Sequence, residues 1–203
     1  MRPSRLLRES VPLRDGRTVV LRPIDPADAE RLIDLHNRLS FEAQYYRFFG
    51  PKPQLTKQEA EYLANVDFHK RFAIVAEAEV DDEKVIVGVG RFDINEPGLA
   101  EAAIVIRDDF QHVGLGSAIL ERMREVGKGA GLRAFTAEIL ADNSRMIDLL
   151  AANDLPVEPA SSGIVRVEAP LDTPVLLRIV RAPGELAGLL FTRLPLVKSE
   201  QSD

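Results

Sequence analysis

In the first third of the chain, apolar residues recur at the three- and four-residue spacing of amphipathic helices. One helix is predicted to begin after Asp25, with Pro26 at its first position, because short polar residues cap helix starts and proline is tolerated there. Its apolar stripe contains Ala29, Leu32, Ile33, His36 and Leu39. We interpret the histidine on this stripe as a packed side chain.

Two shorter helices are predicted to follow. The first, capped by Ser40, ends at Gly50 and carries four aromatic residues that we interpret as packing residues: Tyr45, Tyr46, Phe48 and Phe49. The second runs from Thr56 to about Asn65, and Thr56 and Glu59 have the spacing of a capping box.

The middle of the chain changes to the short, β-branched segments that are typical of strands. Residues 72–76 and 85–92 are predicted to pair as a hairpin around a turn at residues 81–83, and a shorter strand is predicted at residues 18–21. Glu77 and Glu79, which follow the first hairpin strand, are interpreted as solvated strand residues; the alternative is that one of them approaches a cationic partner.

The second half of the chain alternates strands with helices. Strands are predicted at residues 101–107, 134–140 and 164–169, a helix at 116–127, and a short helix at 146–150 capped by Asn143. Helices followed by a hairpin and a strand–loop–helix–strand unit favour a mixed α/β (α+β) fold.

A single compact domain is the organisation that this length favours. We expect it to span residues 1–170, and we expect residues 171–203 to form a C-terminal extension whose role the sequence does not assign. The chain has 45% hydrophobic and 29% charged residues, as ordinary globular proteins do.

Charge and cysteine content exclude several classes of function. The formal net charge of −6 argues against broad binding to nucleic-acid phosphates and favours a cationic partner. The chain contains no cysteine, which excludes disulfides, cysteine-ligated metals and a cysteine nucleophile. No segment has the pattern of a secretory signal or a membrane span, so a cytoplasmic location and no membrane partner are expected.

The segment from Gln111 to Ser117 joins a predicted strand to a predicted helix and contains Gly114 and Gly116. Backbone N–H groups at the positive end of a helix bind pyrophosphate, so an anionic nucleotide cofactor fits here. The spacing matches neither a P-loop nor the dinucleotide fingerprint. An ordinary strand-to-helix turn has the same pattern, and the residues alone leave that alternative open.

In its context, this segment resembles the acyl-CoA motif of the GCN5-related N-acetyltransferase (GNAT) superfamily, Gln/Arg-x-x-Gly-x-Gly/Ala. Gln111, Gly114 and Gly116 match the motif, and Asn143 stands where many members carry an asparagine that contacts the coenzyme. Over roughly residues 12–170 the chain is also similar to the acetyltransferase domain of bacterial protein lysine acetyltransferases that inactivate acyl-CoA synthetases. The similar segments are residues 21–24, 39–42, 45–49, 87–92, 100–101 and 108–111.

This resemblance implies a mostly antiparallel sheet flanked by helices, in which the family's fourth and fifth strands, here residues 101–107 and 134–140, splay apart. It implies acetyl-CoA as the co-substrate. The pantetheine arm would pair with the backbone of Ile104, Val105 and Ile106, and an N–H group near Ile104 would bind the thioester carbonyl. The remaining residues implied for the coenzyme are Gln111, His112, Val113, Gly114, Leu115, Gly116, Ser117 and Asn143.

Glu101 is the predicted catalytic residue. A lysine amine in water has a pKa of about 10.4, so a base must accept its proton before it attacks a thioester. Glu101 matches by position the glutamate that serves as base in the lysine acetyltransferases that the chain resembles; the alternative is a strand-end glutamate that faces solvent. Residues 144–153 lack the tyrosine that many members use as general acid, which leaves that role unassigned.

We therefore expect an acetyl-CoA-dependent N-acetyltransferase that acts on a protein lysine by direct attack in a ternary complex, with acyl-CoA synthetases as one acceptor class. A small amine as acceptor and a non-catalytic acyl-CoA-binding module are the alternatives. The three histidines lack a metal-binding spacing, so no metal is expected. The oligomeric state is not assigned.

Overall fold

The computed structural model describes residues 8–151, 155 and 157–172. These residues form an eight-stranded sheet in the spatial order β1-β2-β3-β4-β5-β6-β8-β7. Each neighbouring pair is antiparallel except β5 and β6, which are parallel. The strands are β1 (Glu9–Pro12), β2 (Thr18–Pro23), β3 (Arg71–Val80), β4 (Glu83–Glu96), β5 (Leu99–Ile106), β6 (Ala134–Leu140), β7 (Val157–Ser161) and β8 (Ile164–Pro170).

The helices begin close to the predicted caps. They are α1 (Ala29–Asn37), α2 (Phe41–Phe48), α3 (Lys57–Ala64), α4 (Leu115–Gly129) and α5 (Ser144–Ala151). Asp25 caps a short 3₁₀ turn, Pro26–Asp28, which leads into α1. Ser40 accepts from the Ala43 N–H group at 3.2 Å, and Thr56 forms its capping box with Glu59. The predicted mixed fold with a mostly antiparallel sheet is confirmed.

Two apolar layers cover the two faces of the sheet. One contains α4, whose Ile119 and Met123 are fully buried, and the other contains α1 and α3. A Cβ atom on Gly90 of β4 would lie 2.3 Å from Ile119 Cγ2 and 2.6 Å from Met123 Sδ. Glycine at this position therefore sets how closely α4 approaches the sheet.

Two edge strands, β1 and β7, were not predicted because both are short and mostly exposed. The interpretation of Glu77 as solvated is wrong: it is 8% exposed and accepts hydrogen bonds from Arg31 at 2.9 Å and Arg22 at 3.1 Å. Arg22 also forms a bidentate pair with Asp28. This network joins β2 and β3 to the start of α1, whereas Glu79 is exposed as expected.

The last described strand ends at Pro170, where the predicted domain ends. Leu171 follows it, is fully buried, and donates its N–H group to the Arg133 carbonyl at 2.8 Å. Residues 173–203, nearly all of the predicted extension, lie outside the described residues. Within the part of the chain that the structure describes, no helix has the length and apolarity needed to cross a membrane.

Candidate functional site

An opening in the sheet forms where β5 and β6 separate. The two strands pair only from Leu99–Ala134 to Glu101–Thr136, so the rest of β5 has no β6 partner in the described structure. Ile104 and Ile106 bury their side chains at 2% and 0% exposure. The backbone of these two predicted residues lies on the length of β5 that β6 leaves unpaired, which is where an added strand would pair.

The loop that follows β5 directs backbone N–H groups outward from the start of α4. Gly114 is the N-cap of α4 at a φ of 94°, and His112 also adopts a left-handed conformation at 61°. The N–H groups of Leu115, Gly116 and Ser117 occupy the first helical turn, where no acceptor exists within the helix. Together with the positive helix end they form an arrangement that can bind a phosphate.

The β1–β2 hairpin supports this loop. The Arg14 N–H group donates to the Val113 carbonyl at 3.0 Å, and the Arg17 guanidinium donates to the Asp109 carbonyl at 2.6 Å. Arg17 also lies 3.7 Å from the ring centroid of the buried Phe110. Sequence reasoning missed these contacts, because two arginines in a tight turn indicate nothing until the loop that they support is placed.

Two further contacts hold the loop from inside the domain. Gln111 donates its side-chain amide to the Ile106 carbonyl at 3.1 Å, which ties the loop to the end of β5. Asp108 accepts from the N–H group and the hydroxyl of Ser40, at 2.9 and 2.6 Å. The start of α2 is thereby fixed to the start of the loop.

Glu101 lies at the last β5–β6 pair, at the inner end of the opening, and is half-buried. Burial raises the pKa of its carboxyl group, and the nearby carboxylates of Glu138 and Asp93 raise it further. The Asn95 amide opposes this by donating to Glu101 Oε2 at 2.9 Å. A half-buried carboxylate with a raised pKa has the properties of a general base.

Asn143 has the capping role that the sequence predicts. It is 4% exposed, and its side-chain oxygen accepts from the Met146 N–H group at 3.1 Å. Beside it, the Tyr45 hydroxyl donates to Asp142 at 3.3 Å, so α2 contacts the β6–α5 loop. The cap defines the position of Asn143; its contact with the coenzyme stays a prediction.

A small cleft lies between the helices α1–α3 and the face of β4 and β5 that carries Ala103 and Val105. His36 lines it as the packed residue that the sequence predicts: it is 3% exposed, and its Nε2 lies 2.8 Å from the Lys52 carbonyl oxygen. Burial lowers the pKa of His36. The other polar lining residues are Arg47 and Arg91.

The predicted aromatic packing of α2 is only partly correct. Phe48 lines the cleft and contacts the His36 ring edge to face at 5.2 Å. Like Phe48, the residues Tyr45, Tyr46 and Phe49 are half-buried and none of them is a fully buried core residue. The buried side chain of this helix at the cleft is Arg47, which an amphipathic pattern assigns to the surface.

No group of three or more histidine, aspartate or glutamate side chains among the described residues is arranged to hold a metal ion. The strand opening itself offers a ligand backbone groups at a strand edge, a helix start and the half-buried carboxylate of Glu101.

Comparison with known proteins identifies this arrangement. The sequence model of the acetyltransferase (GNAT) domain matches residues 18–155. The acetyltransferase PA5475 of Pseudomonas aeruginosa is 33% identical over 141 residues, which are 69% of this chain and 76% of that protein. The acetyltransferase Pat of Mycolicibacterium smegmatis is 30% identical over 139 residues, which are 67% of this chain but 40% of that protein.

Among solved structures, the GNAT domain of S. lividans PAT superposes with a TM-score of 0.70 at 32% identity, covering 80% of this chain and 96% of that one. GNAT enzymes use acetyl-CoA as the acetyl donor, and the strand opening and the helix start described above are where the resemblance places it. The chain therefore belongs to the GNAT family and is an acetyl-CoA-dependent N-acetyltransferase.

Proposed function

We propose that this enzyme transfers the acetyl group of acetyl-CoA to the amine of a protein lysine, with Glu101 as general base and acyl-CoA synthetases as one class of acceptor. The observation that carries the proposal is the position of Glu101 at the inner end of the strand opening, half-buried and with a raised pKa. Support for the acceptor comes from the sequence resemblance to bacterial protein lysine acetyltransferases and from the similarity to two Pat acetyltransferases.

In this proposal acetyl-CoA lies along the free edge of β5. The backbone of residues 104–106 pairs with the pantetheine arm, and residues 111–117 hold the pyrophosphate at the start of α4. Asn143, at the start of α5, contacts the coenzyme from the β6 side. A backbone N–H group near Ile104 donates to the thioester oxygen as negative charge develops on it.

Glu101 accepts the proton of the incoming ammonium group, directly or through water. The neutral amine attacks the thioester carbonyl and the C–N bond forms. The nitrogen then loses its second proton to solvent, and the C–S bond breaks to release coenzyme A as a thiolate. A thiolate is a good leaving group at neutral pH and takes its proton from solvent. The absence of cysteine from the chain supports direct attack in a ternary complex over a thioester intermediate on the enzyme.

The acceptor is cationic before it reacts, and the net charge of −6 favours its approach. A small amine has the same charge and is the second candidate acceptor. A cytoplasmic location is part of the proposal, because acetyl-CoA and acyl-CoA synthetases occur there.

The test is to incubate the purified protein with acetyl-CoA and a bacterial acetyl-CoA synthetase and to follow the intact mass of the synthetase, with Glu101→Gln as the control. We expect one added acetyl group with the wild-type enzyme and none with the variant. An unchanged mass while coenzyme A still binds would refute the synthetase as acceptor and direct the search to small amines and other proteins.

A further inference from the structure

Two buried arginines line the cleft beside the proposed active site. Arg47 of α2 is 5% exposed and Arg91 of β4 is 7% exposed. An arginine side chain keeps its charge in proteins, and a buried charge needs a counter-charge and hydrogen-bond acceptors. The position of Arg91 in an apolar layer therefore requires an explanation.

Arg91 has no hydrogen-bond or ion-pair partner among the described residues, and the carboxylate that raises its pKa is that of Asp93, two residues further along β4. The residue opposite Arg91 on β5 is Ala103. Two other arginines differ: the half-buried Arg22 pairs with Asp28, and the buried Arg107 pairs with Asp109 at 2.6 Å. Arg91 instead lines the cleft.

Charges of both signs surround Arg47, because the carboxylates of Asp93 and Glu101 raise its pKa. Burial, together with the charge of Arg91, lowers the pKa of Arg47 to about 9, so the two guanidinium groups lie close enough to repel each other. Burial also lowers the pKa of Arg91, and among neighbouring charges Asp93 raises it while Arg71 lowers it. Arg71 is itself a cation, and its guanidinium group donates to the Tyr62 and Asn65 carbonyls.

Strand register places this charge next to the proposed base. Asp93 pairs with Glu101 and Arg91 pairs with Ala103, so Arg91 is the diagonal neighbour of Glu101 on the same face of the sheet. Diagonal neighbours of an antiparallel pair are separated by about 7–8 Å. An acceptor with its amine at Glu101 and an acidic group a few bonds away spans this distance.

We infer that the cleft binds a carboxylate carried by the amine acceptor, with Arg91 as its bidentate partner and Arg47 as a second cation. The inference rests on the proposed function for the position of the amine. Apolar side chains of α1, such as Leu32 and Leu35, cover the rest of the cleft and exclude water from the ion pair. An acidic side chain next to an acceptor lysine and the carboxylate of a free amino acid both supply this group.

The test compares acceptors that differ only in the carboxylate. One pair is a lysine peptide with glutamate beside the lysine and the same peptide with glutamine; the other is Nα-acetyl-lysine and its amide. We expect the wild-type enzyme to prefer one acidic member by at least about tenfold in kcat/KM, since a buried charge-assisted pair is lost in its neutral partner. The pair that shows the preference identifies the source of the carboxylate.

Arg91→Met should abolish this preference, and Arg91→Lys should reduce it, while the Kd for acetyl-CoA stays within about twofold. Arg38→Met is the matched control, because Arg38 is exposed and its removal makes the same charge change. An equal preference in wild type and Arg91→Met would overturn the inference. A loss of activity in Arg91→Met that appears only when succinyl-CoA replaces acetyl-CoA as donor would also overturn it, because Arg91 would then bind the carboxylate of the acyl group and not one carried by the acceptor.

A binding measurement separates this inference from the proposed function. Nα-acetyl-lysine and its amide are titrated by calorimetry into each protein saturated with coenzyme A, which requires no transfer. Tighter binding of the carboxylate to wild type than to Arg91→Met supports the inference even where no acceptor is acetylated. Equal binding of the two probes to wild type, together with equal turnover of both acceptor pairs, would refute it.

Discussion

Gly90 is the position at which one added methyl group tests the packing of the coenzyme-binding helix. Its Cβ atom would lie 2.3 Å from Ile119 Cγ2 and 2.6 Å from Met123 Sδ. Ordinary contacts between carbon atoms are about 3.5–4.0 Å, so α4 must move by about 1 Å or more. Met123 can change rotamer, but Ile119 Cγ2 is attached to a stiff β-branched carbon and moves only with the helix.

Overpacking of this kind costs about 1–3 kcal/mol, and the short Ile119 distance places Gly90→Ala at the upper end. The loss of glycine freedom in the unfolded chain returns about 0.4–1 kcal/mol. For a chain of this length, 1 kcal/mol corresponds to about 2–4 °C in Tm, so we expect Gly90→Ala to lower Tm by about 4–10 °C. The Kd for coenzyme A should rise as well, because the first turn of α4 moves with the helix.

Thermal unfolding of three variants provides the assay. Gly88→Ala should cost less than Gly90→Ala, because its nearest contact is the free end of Ile119 at 3.1 Å. Gly129→Ala should leave Tm unchanged or raise it, since nothing lies within 4 Å and alanine favours a helix. A Tm for Gly90→Ala within about 2 °C of the Gly129→Ala value would refute the packing argument.

The remaining predictions concern Glu101, Glu77 and Asn143. Because burial raises the pKa of Glu101, kcat/KM should fall as pH decreases through that raised value. The Asn95→Ala variant removes a hydrogen bond to the ionised carboxylate, so the acidic limb of the pH–rate profile should move to higher pH. An unmoved limb would argue against Glu101 as the titrating base. Burial alone raises the pKa of Glu77, but hydrogen bonds from Arg31 and Arg22 outweigh this effect and lower the pKa in the folded state. The ionised Glu77 carboxylate therefore stabilises the fold above its unfolded pKa of about 4.3, and this stabilisation is lost as pH falls through the lower pKa of the folded state. Glu77→Gln should accordingly lower the free energy of unfolding by about 3–5 kcal/mol at pH 7 and by less near pH 3, and a pH-independent difference in urea unfolding would contradict this. Asn143→Ala should lower the free energy of unfolding by about 0.5–2 kcal/mol, because the helix cap is lost. Asn143→Ser keeps an oxygen that can cap the helix, so it should mainly raise the KM for acetyl-CoA. An unchanged KM in the serine variant would restrict Asn143 to its structural role.

Local signals predicted much of the fold. The caps at Ser40, Thr56 and Asn143 are read from one or two neighbouring residues, and all three form as expected. The glycine-bearing loop also joins β5 to α4, as the sequence predicts. Gly114 has there the left-handed conformation that favours glycine.

Long-range contacts account for what sequence reasoning missed. Glu77 stands in a strand like any solvated glutamate, and its burial depends on Arg22 and Arg31, which lie 55 and 46 residues away. Arg47 and Arg91 lie on elements far apart in sequence that meet at one cleft. A single sequence does not show that two arginines share a cavity.

The most direct test of the central claim is turnover by Glu101→Gln compared with its coenzyme binding. The release of free thiol from acetyl-CoA is measured with an acetyl-CoA synthetase or a panel of lysine peptides as acceptor, and the Kd for acetyl-CoA is measured by calorimetry. We predict that kcat falls by about 10²–10⁴-fold while the Kd stays within about twofold of wild type, as expected for a general base that does not hold the coenzyme. A Glu101→Gln enzyme that retains wild-type turnover would contradict the assignment of Glu101 as base and with it the proposed mechanism.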